Sequence, residues 1–253
     1  MSNLKKAIER AGRREGGQLG FAQVSQAKRR AMLLAIAADD ASAAEAAAEG
    51  GADIVLLSAK NARDAARELG RLGSLKVPVG PVLAALTSED ATVLRDARCD
   101  FVVSPLTGTA AGALDANVMG HALALEQTVD DATLRALGPL GLDALVVDAP
   151  RASFSVADQL ALVRVAQLAS TPLIVRLATR PDPGDLRALR DSGVAIVAAP
   201  PGSKQGDLQD LISGLQAVPE LRKREGRGPE IALLPSLLGG AHEHDDDGEP
   251  DDE

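Results

Sequence analysis

Three side chains combine the types and placement that proton transfer at carbon requires: Lys60, Glu126 and Asp148. Each follows closely on a short apolar run, IVLL for Lys60, HALAL for Glu126 and ALVV for Asp148. A lysine and a carboxylate that converge shift one another's pKa and can exchange a proton with a substrate. A second set, Arg176, Gly202 and Ser203, suits an anion. A guanidinium offers a planar fork of donors to phosphate or carboxylate. The loop Ala199-Pro-Pro-Gly202-Ser203-Lys204-Gln-Gly206 leads into a helix start, whose free amides attract negative charge, and Lys204 adds a cation. The other polar residues that follow apolar runs are Asp39, Asp40, Ser58, Asn61, Thr87, Ser88, Ser104, Thr107, Thr109, Gln127, Arg151, Thr179 and Arg180. None of these is a histidine. His121 begins its run instead of ending it, so imidazole acid–base chemistry is excluded from this set.

The elements that must position these residues recur at intervals of roughly 20–29 residues: 32–38, 53–59, 77–84, 100–105, 120–126, 143–148, 172–178 and 195–200. Each run is rich in Val, Ile, Leu and Ala without polar alternation, the pattern of strands buried on both faces of a parallel sheet. Amphipathic stretches separate most of them, at 41–49, 61–72, 88–97, 132–137, 156–168, 185–191 and 208–217. Eight β-then-α units predict an α/β fold, a closed (β/α)8 or TIM barrel. Its C-terminal strand ends would gather the chemical candidates on one face. The stretch 107–119 (TGTAAGALDANVM) is the least helical link and predicts a short or broken helix or a loop.

A finer repeat runs through the even strands. Gly51-Ala-Asp53, Arg98-Cys-Asp100 and Gly141-Leu-Asp143 precede strands two, four and six, and Ser192-Gly193-Val194 precedes strand eight. A glycine there suits a left-handed helix cap, and an Asp at the strand mouth can accept backbone hydrogen bonds. These entries fall at the opposite, N-terminal end of the barrel, where residues serve stability. Asp182 or Asp185 is expected to cap the helix after strand seven.

Gly51-Ala-Asp53-IVLL, Asp100-Phe-Val-Val-Ser104-Pro105 and the strand-eight loop together resemble the ribulose-phosphate-binding barrels, a group that includes keto-deoxy-phosphogluconate aldolase. The resemblance covers residues 32–217 and implies a TIM barrel that grips a phosphate near strands seven and eight. The chain departs from the aldolase pattern at strand six, where the family's Schiff-base lysine is replaced by Asp148. It also has less glycine after strand seven, in Leu177-Ala-Thr-Arg-Pro181. Strand two is similar to the Asp-x-Lys-x-x-Asp array of orotidine-phosphate decarboxylase-like barrels. Here it reads Ser58-Ala-Lys60-Asn-Ala-Arg-Asp64. The lysine matches, the first Asp is Ser, and the last falls one residue late, a slip of about 100° on a helix.

Composition fits one domain with tails: residues 1–30 a basic N-terminal extension, 31–218 the barrel, 219–241 a C-terminal extension and 242–253 an acidic tail. The chain has no Trp, no Tyr and three Phe, so aliphatic residues must build the core. The net charge of −9 hides an asymmetry, because the tail HEHDDDGEPDDE holds eight acids while residues 1–30 carry eight Lys or Arg against two Glu. The tail is expected to be disordered, as its charges repel and nothing apolar there can bury. A second basic cluster, LRKREGR, lies at 221–227. The basic arm has one aromatic, Phe21, and no reader motif, which argues against nucleic acid. His242 and His244 beside acids form no fixed metal shell. Cys99 stands alone, so no disulfide is expected. No apolar run approaches the ~18 residues of a membrane span, no signal-peptide core is seen, and a cytoplasmic location is expected. The apolar segment 229–238 (PEIALLPSLL) offers a surface for a homodimer.

Two functions follow. One is a lyase or isomerase acting on a small anionic metabolite, phosphorylated or carboxylated, with Lys60, Glu126 and Asp148 catalytic and Arg176, Gly202 and Ser203 binding. No cofactor is named by these residues. The other is a non-catalytic barrel that binds or scaffolds through its charged tails. Convergence of Lys60, Glu126, Asp148 and Arg176 in one pocket would favour the enzyme. Strand ends filled by Leu, Val and Pro would favour the scaffold.

Overall fold

A computed structural model of the chain describes residues 1–12, 30–126, 129–149 and 154–219. The acidic tail, segment 229–238, cluster 221–227, Gln127 and Arg151 lie outside the described residues. After helix α1 (Asn3–Gly12), eight units follow: β1 (Leu33–Ala38), α2 (Ala41–Glu49), β2 (Ile54–Ser58), α3 (Ala62–Leu69), β3 (Val79–Val82), α4 (Ser88–Asp96), β4 (Phe101–Pro105), β5 (Gly120–Ala124), α5 (Asp131–Leu137), β6 (Ala144–Asp148), α6 (Val156–Ala169), β7 (Leu173–Arg176), α7 (Pro183–Asp191), β8 (Val194–Ala198) and α8 (Gln205–Ala217). All strands are parallel, each pairs with its sequence neighbours, and β8 returns to β1 to close the barrel. The link between β4 and β5 carries only a 3₁₀ turn at Ala111–Ala113, so of the two expectations there, a short or broken helix and a loop, the first describes it. No described helix is long and apolar enough to cross a membrane.

Helix starts follow from capping chemistry. Asp40, Asn61, Thr87, Asp130, Ser155 and Asp182 each accept a backbone N–H from the first turn of α2 to α7 in order. Asp182 with Asp185 forms a reciprocal capping box, and Pro183 supplies the first turn's fixed φ. Both residues expected as caps therefore act together.

Alternate strand residues turn inward and pack as one cluster that includes Ala35, Ile54, Leu56, Phe101, Val103, Val146, Ile174 and Ile196. With aromatics so scarce, Phe101 fills the lower interior and is fully buried. A side chain at Gly80 would collide with its ring, so only glycine fits there. β3 is shorter than the apolar run 77–84. Pro78 and Pro81 lack the N–H that a ladder needs, and β3 aligns with β4 only at Val82 and Val103.

The even-strand repeat builds the bottom of the barrel. Gly51, Gly141 and Gly193 are left-handed at φ 99°, 68° and 84°. Asp53 accepts the Leu34 N–H at 2.9 Å and pairs with Arg30. Asp100 receives the Asn3 and Leu4 N–H groups at 2.7 and 3.0 Å, and Ser2 donates its hydroxyl to Asp143. These bonds seat α1 beneath the strands and push Leu4, fully buried, into the interior cluster. The start of the basic extension is therefore part of the core.

Candidate functional site

The inward series of each strand ends at the C-terminal mouth. Those positions hold Ala37, Ser58, Val82, Pro105, Ala124, Asp148, Arg176 and Ala198, so Asp148 and Arg176 are the only charges among them. They stand at the same register level on β6 and β7. Arg176 Nε donates to Asp148 Oδ1 at 2.6 Å and Nη2 to Oδ2 at 3.0 Å. This two-bond fork is the strong geometry for a guanidinium and a carboxylate. Both side chains stay accessible, at 41% and 52% of their full exposure.

Glu126, two residues beyond β5, is exposed and accepts the Thr107 hydroxyl at 2.7 Å. Glu126 and Asp148 share the lining of a cavity of about 340 Å³ between the β5 and β6 ends and α6. Its apolar wall includes Leu125, Val147, Phe154 and Leu162. Arg164 also lines it, bound to Asp131 at 2.5 Å and to the Val129 carbonyl. Phe154 and Arg164 escape sequence reasoning, since neither ends a strand. The available signal is that Phe154, one of only three aromatics, directly precedes the capping box of α6.

Lys60 is not brought to this group. It is exposed beyond β2, four strands from β6 in the closed order and so across the mouth, and it makes no ion pair or hydrogen bond among the described residues. Asn61 is occupied as the α3 cap, where it accepts the Asp64 N–H at 2.9 Å.

The strand-eight loop lies over a cavity of about 270 Å³ lined by Arg180, Gly202, Ser203 and Asp207. Gly202 is left-handed at φ 71°, and the Ser203 hydroxyl donates to the Pro200 carbonyl at 2.7 Å. α8 begins at Gln205, three residues earlier than its amphipathic stretch 208–217 indicates. Asp207 in its first turn accepts the Lys204 N–H at 3.1 Å and puts a carboxylate where the helix dipole would draw an anion. Arg180 is bound to Asp210 at 2.9 Å. Arg176 is therefore the better placed of the expected anion binders.

An anionic ligand could replace Asp148 in the Arg176 fork. Asp148 would then be a free carboxylate beside the bound group, with Glu126 one strand away, a pair able to take and return a proton. Among the described residues, no group of three or more His, Cys, Asp or Glu is assembled to hold a metal.

No protein-family model matches this sequence, and no curated protein sequence matches it. Many solved structures share its fold. A tryptophan synthase chain from M. tuberculosis superposes with a TM-score of 0.60 at 13% identity, over 86% of this chain and 98% of that one. Phosphoribosyl anthranilate isomerase from Thermococcus kodakaraensis gives 0.54 at 13% identity, over 74% and 99%. An HpcH/HpaI aldolase from Desulfitobacterium hafniense DCB-2 gives 0.52 at 11%, over 76% and 95%. At such identities the likeness defines the class, a (β/α)8 barrel.

Proposed function

We propose that this barrel is a lyase or isomerase acting on a small phosphorylated or carboxylated metabolite at its C-terminal mouth. The observation that carries the reading is the Asp148–Arg176 pair, the only charges among the strand-end positions of the inward series, with Glu126 lining the same cavity as Asp148. Barrels of this class place their chemistry at that mouth. In this reading Arg176 anchors the anionic group. Asp148 and Glu126 move the proton, and the Thr107 hydroxyl orients Glu126. Lys60 stays outside the chemistry. That an isomerase, a synthase and an aldolase share the fold supports the reaction class by analogy only.

The second reading, a binding or scaffold barrel, is favoured by the remaining strand-end positions. Ala37, Val82, Pro105, Ala124 and Ala198 carry no chemistry, and five of eight positions are therefore inert. A thermal-shift screen with sugar phosphates, keto acids and flavin mononucleotide separates the two, because ligands of the native state raise Tm. The enzyme reading expects a rise with a phosphorylated or carboxylated compound that disappears in Arg176→Ala. No rise across the panel would discard it in favour of the scaffold.

A further inference from the structure

We propose a second anion site at the opposite, N-terminal end of the barrel, built by Arg98 and Arg95 and suited to a small polyvalent oxyanion. The argument begins with the internal repeat. The position that turns the chain into an even strand is left-handed in all four units, and three of them use glycine: Gly51, Gly141 and Gly193. The fourth holds Arg98 at φ 57°. A side chain in that conformation costs free energy that glycine avoids, so the arginine occupies a place where the fold alone favours its absence.

The surroundings indicate what the arginine can do. Arg98 and Arg95 line a cavity of about 370 Å³ with Ser2, Asn3, Ala116 and Val118. The exposed Arg98 guanidinium makes no ion pair or hydrogen bond among the described residues. Among the described residues Arg95 has only a long contact of 3.6 Å to Asp96, with both side chains more than half exposed. Such a surface pair is weak and easily exchanged. Asp100 also lines the cavity, but its two oxygens are already engaged by the Asn3 and Leu4 N–H groups. Two cations thus face a polar recess whose one lining carboxylate among the described residues, Asp100, accepts the N–H groups that seat α1. Arginine forks match the oxygens of phosphate and carboxylate groups. The volume admits an anion of the size of pyrophosphate or citrate, since a water takes about 30 Å³.

The test measures Tm, and heat of binding by calorimetry, for the full chain with inorganic phosphate, pyrophosphate and citrate at constant ionic strength. Wild type, Arg98→Gly, Arg95→Gln and Arg176→Ala are compared. Saturable binding is expected, with Tm raised by about 5 °C at concentrations about 100-fold above Kd. Arg98→Gly should raise the anion-free Tm, by restoring the repeat's glycine, and abolish the anion's effect. Arg95→Gln should weaken binding about tenfold, and Arg176→Ala should leave it intact. Binding undiminished in Arg98→Gly, or no saturable binding to wild type, would overturn the proposal. An effect lost only in Arg176→Ala would also overturn it, by placing the anion at the C-terminal mouth.

Discussion

Asp148 and Arg176 face each other across two adjacent parallel strands at one register level, joined by two hydrogen bonds of 2.6 and 3.0 Å. The pair stands at the accessible rim of the barrel interior, so its geometry is good but its solvent screening is strong. Asp148→Asn or Arg176→Ala should therefore change stability by less than about 1 kcal/mol. Urea denaturation measures this, and a larger loss would mean that the pair is there to hold the barrel together.

Leu4 carries a different weight. It is fully buried among the inward side chains, although it belongs to a helix outside the eight repeats. Leu4→Ala should cost about 2–5 kcal/mol, the range for a buried leucine that leaves a cavity. The shift in urea midpoint reports it. A change near zero would show that α1 does not plug the bottom in solution.

Gly80 and Phe101 form a coupled pair, because the ring occupies the space a Cβ at residue 80 would need. Gly80→Ala should destabilise by about 1–3 kcal/mol. Adding Phe101→Leu should recover part of that loss, so a double-mutant cycle would yield a clear coupling term. Simple additivity would place the ring elsewhere.

His121 gives the stability a pH dependence. Its Nε2 accepts the Asp115 N–H at 3.1 Å, and the buried Nδ1 has no partner among the described residues. Burial holds its pKa below the ordinary 6.5, against the pull of the Asp143 and Asp115 charges. The unfolded chain then binds more protons as pH falls below 6.5. This contribution to stability is complete above 6.5 and is lost on acidification down to the native value. Asp143 has the opposite sign. Burial raises its pKa above 3.8 despite the Ser2 hydrogen bond, so its contribution is present below 3.8 and is lost as pH climbs through the raised value. Tm measured against pH should decline just below 6.5, and His121→Leu should flatten that decline. An unchanged profile in the variant would assign the decline to other groups.

Cys99 should be chemically silent in the folded state. Its buried thiol donates to the Phe101 carbonyl, and burial pushes its pKa up to about 12, so almost no thiolate exists at pH 8. Ellman's reagent should react only as the protein unfolds, at the rate of a denaturation probe run in parallel. Rapid labelling of native protein would contradict the burial.

The fold was legible because its strongest signal is local. A strand covered on both faces must be apolar throughout, so ALVV before Asp148 or IVLL before Lys60 reveals a buried strand without reference to any other part of the chain. Capping residues such as Asp182 are legible for the same reason, as they act within one turn. The boundaries of β3 were less so, because Pro78 and Pro81 interrupt a ladder that hydropathy does not register.

The candidate site was legible only in its parts. Asp148, Glu126 and Arg176 could be placed at strand ends from the sequence alone. That Asp148 meets Arg176 depends on the register between β6 and β7, and that Glu126 shares their side of the mouth while Lys60 does not depends on closure of the sheet. Phe154 and Arg164 joined the cavity wall through helix packing, and Leu4 entered the core through hydrogen bonds to two aspartates about a hundred residues or more away. Hydrophobic period is written along the chain, so the sequence by itself determined eight buried strands and their order. Which side chains face one another is a relation between distant segments, and only the closed barrel decided it.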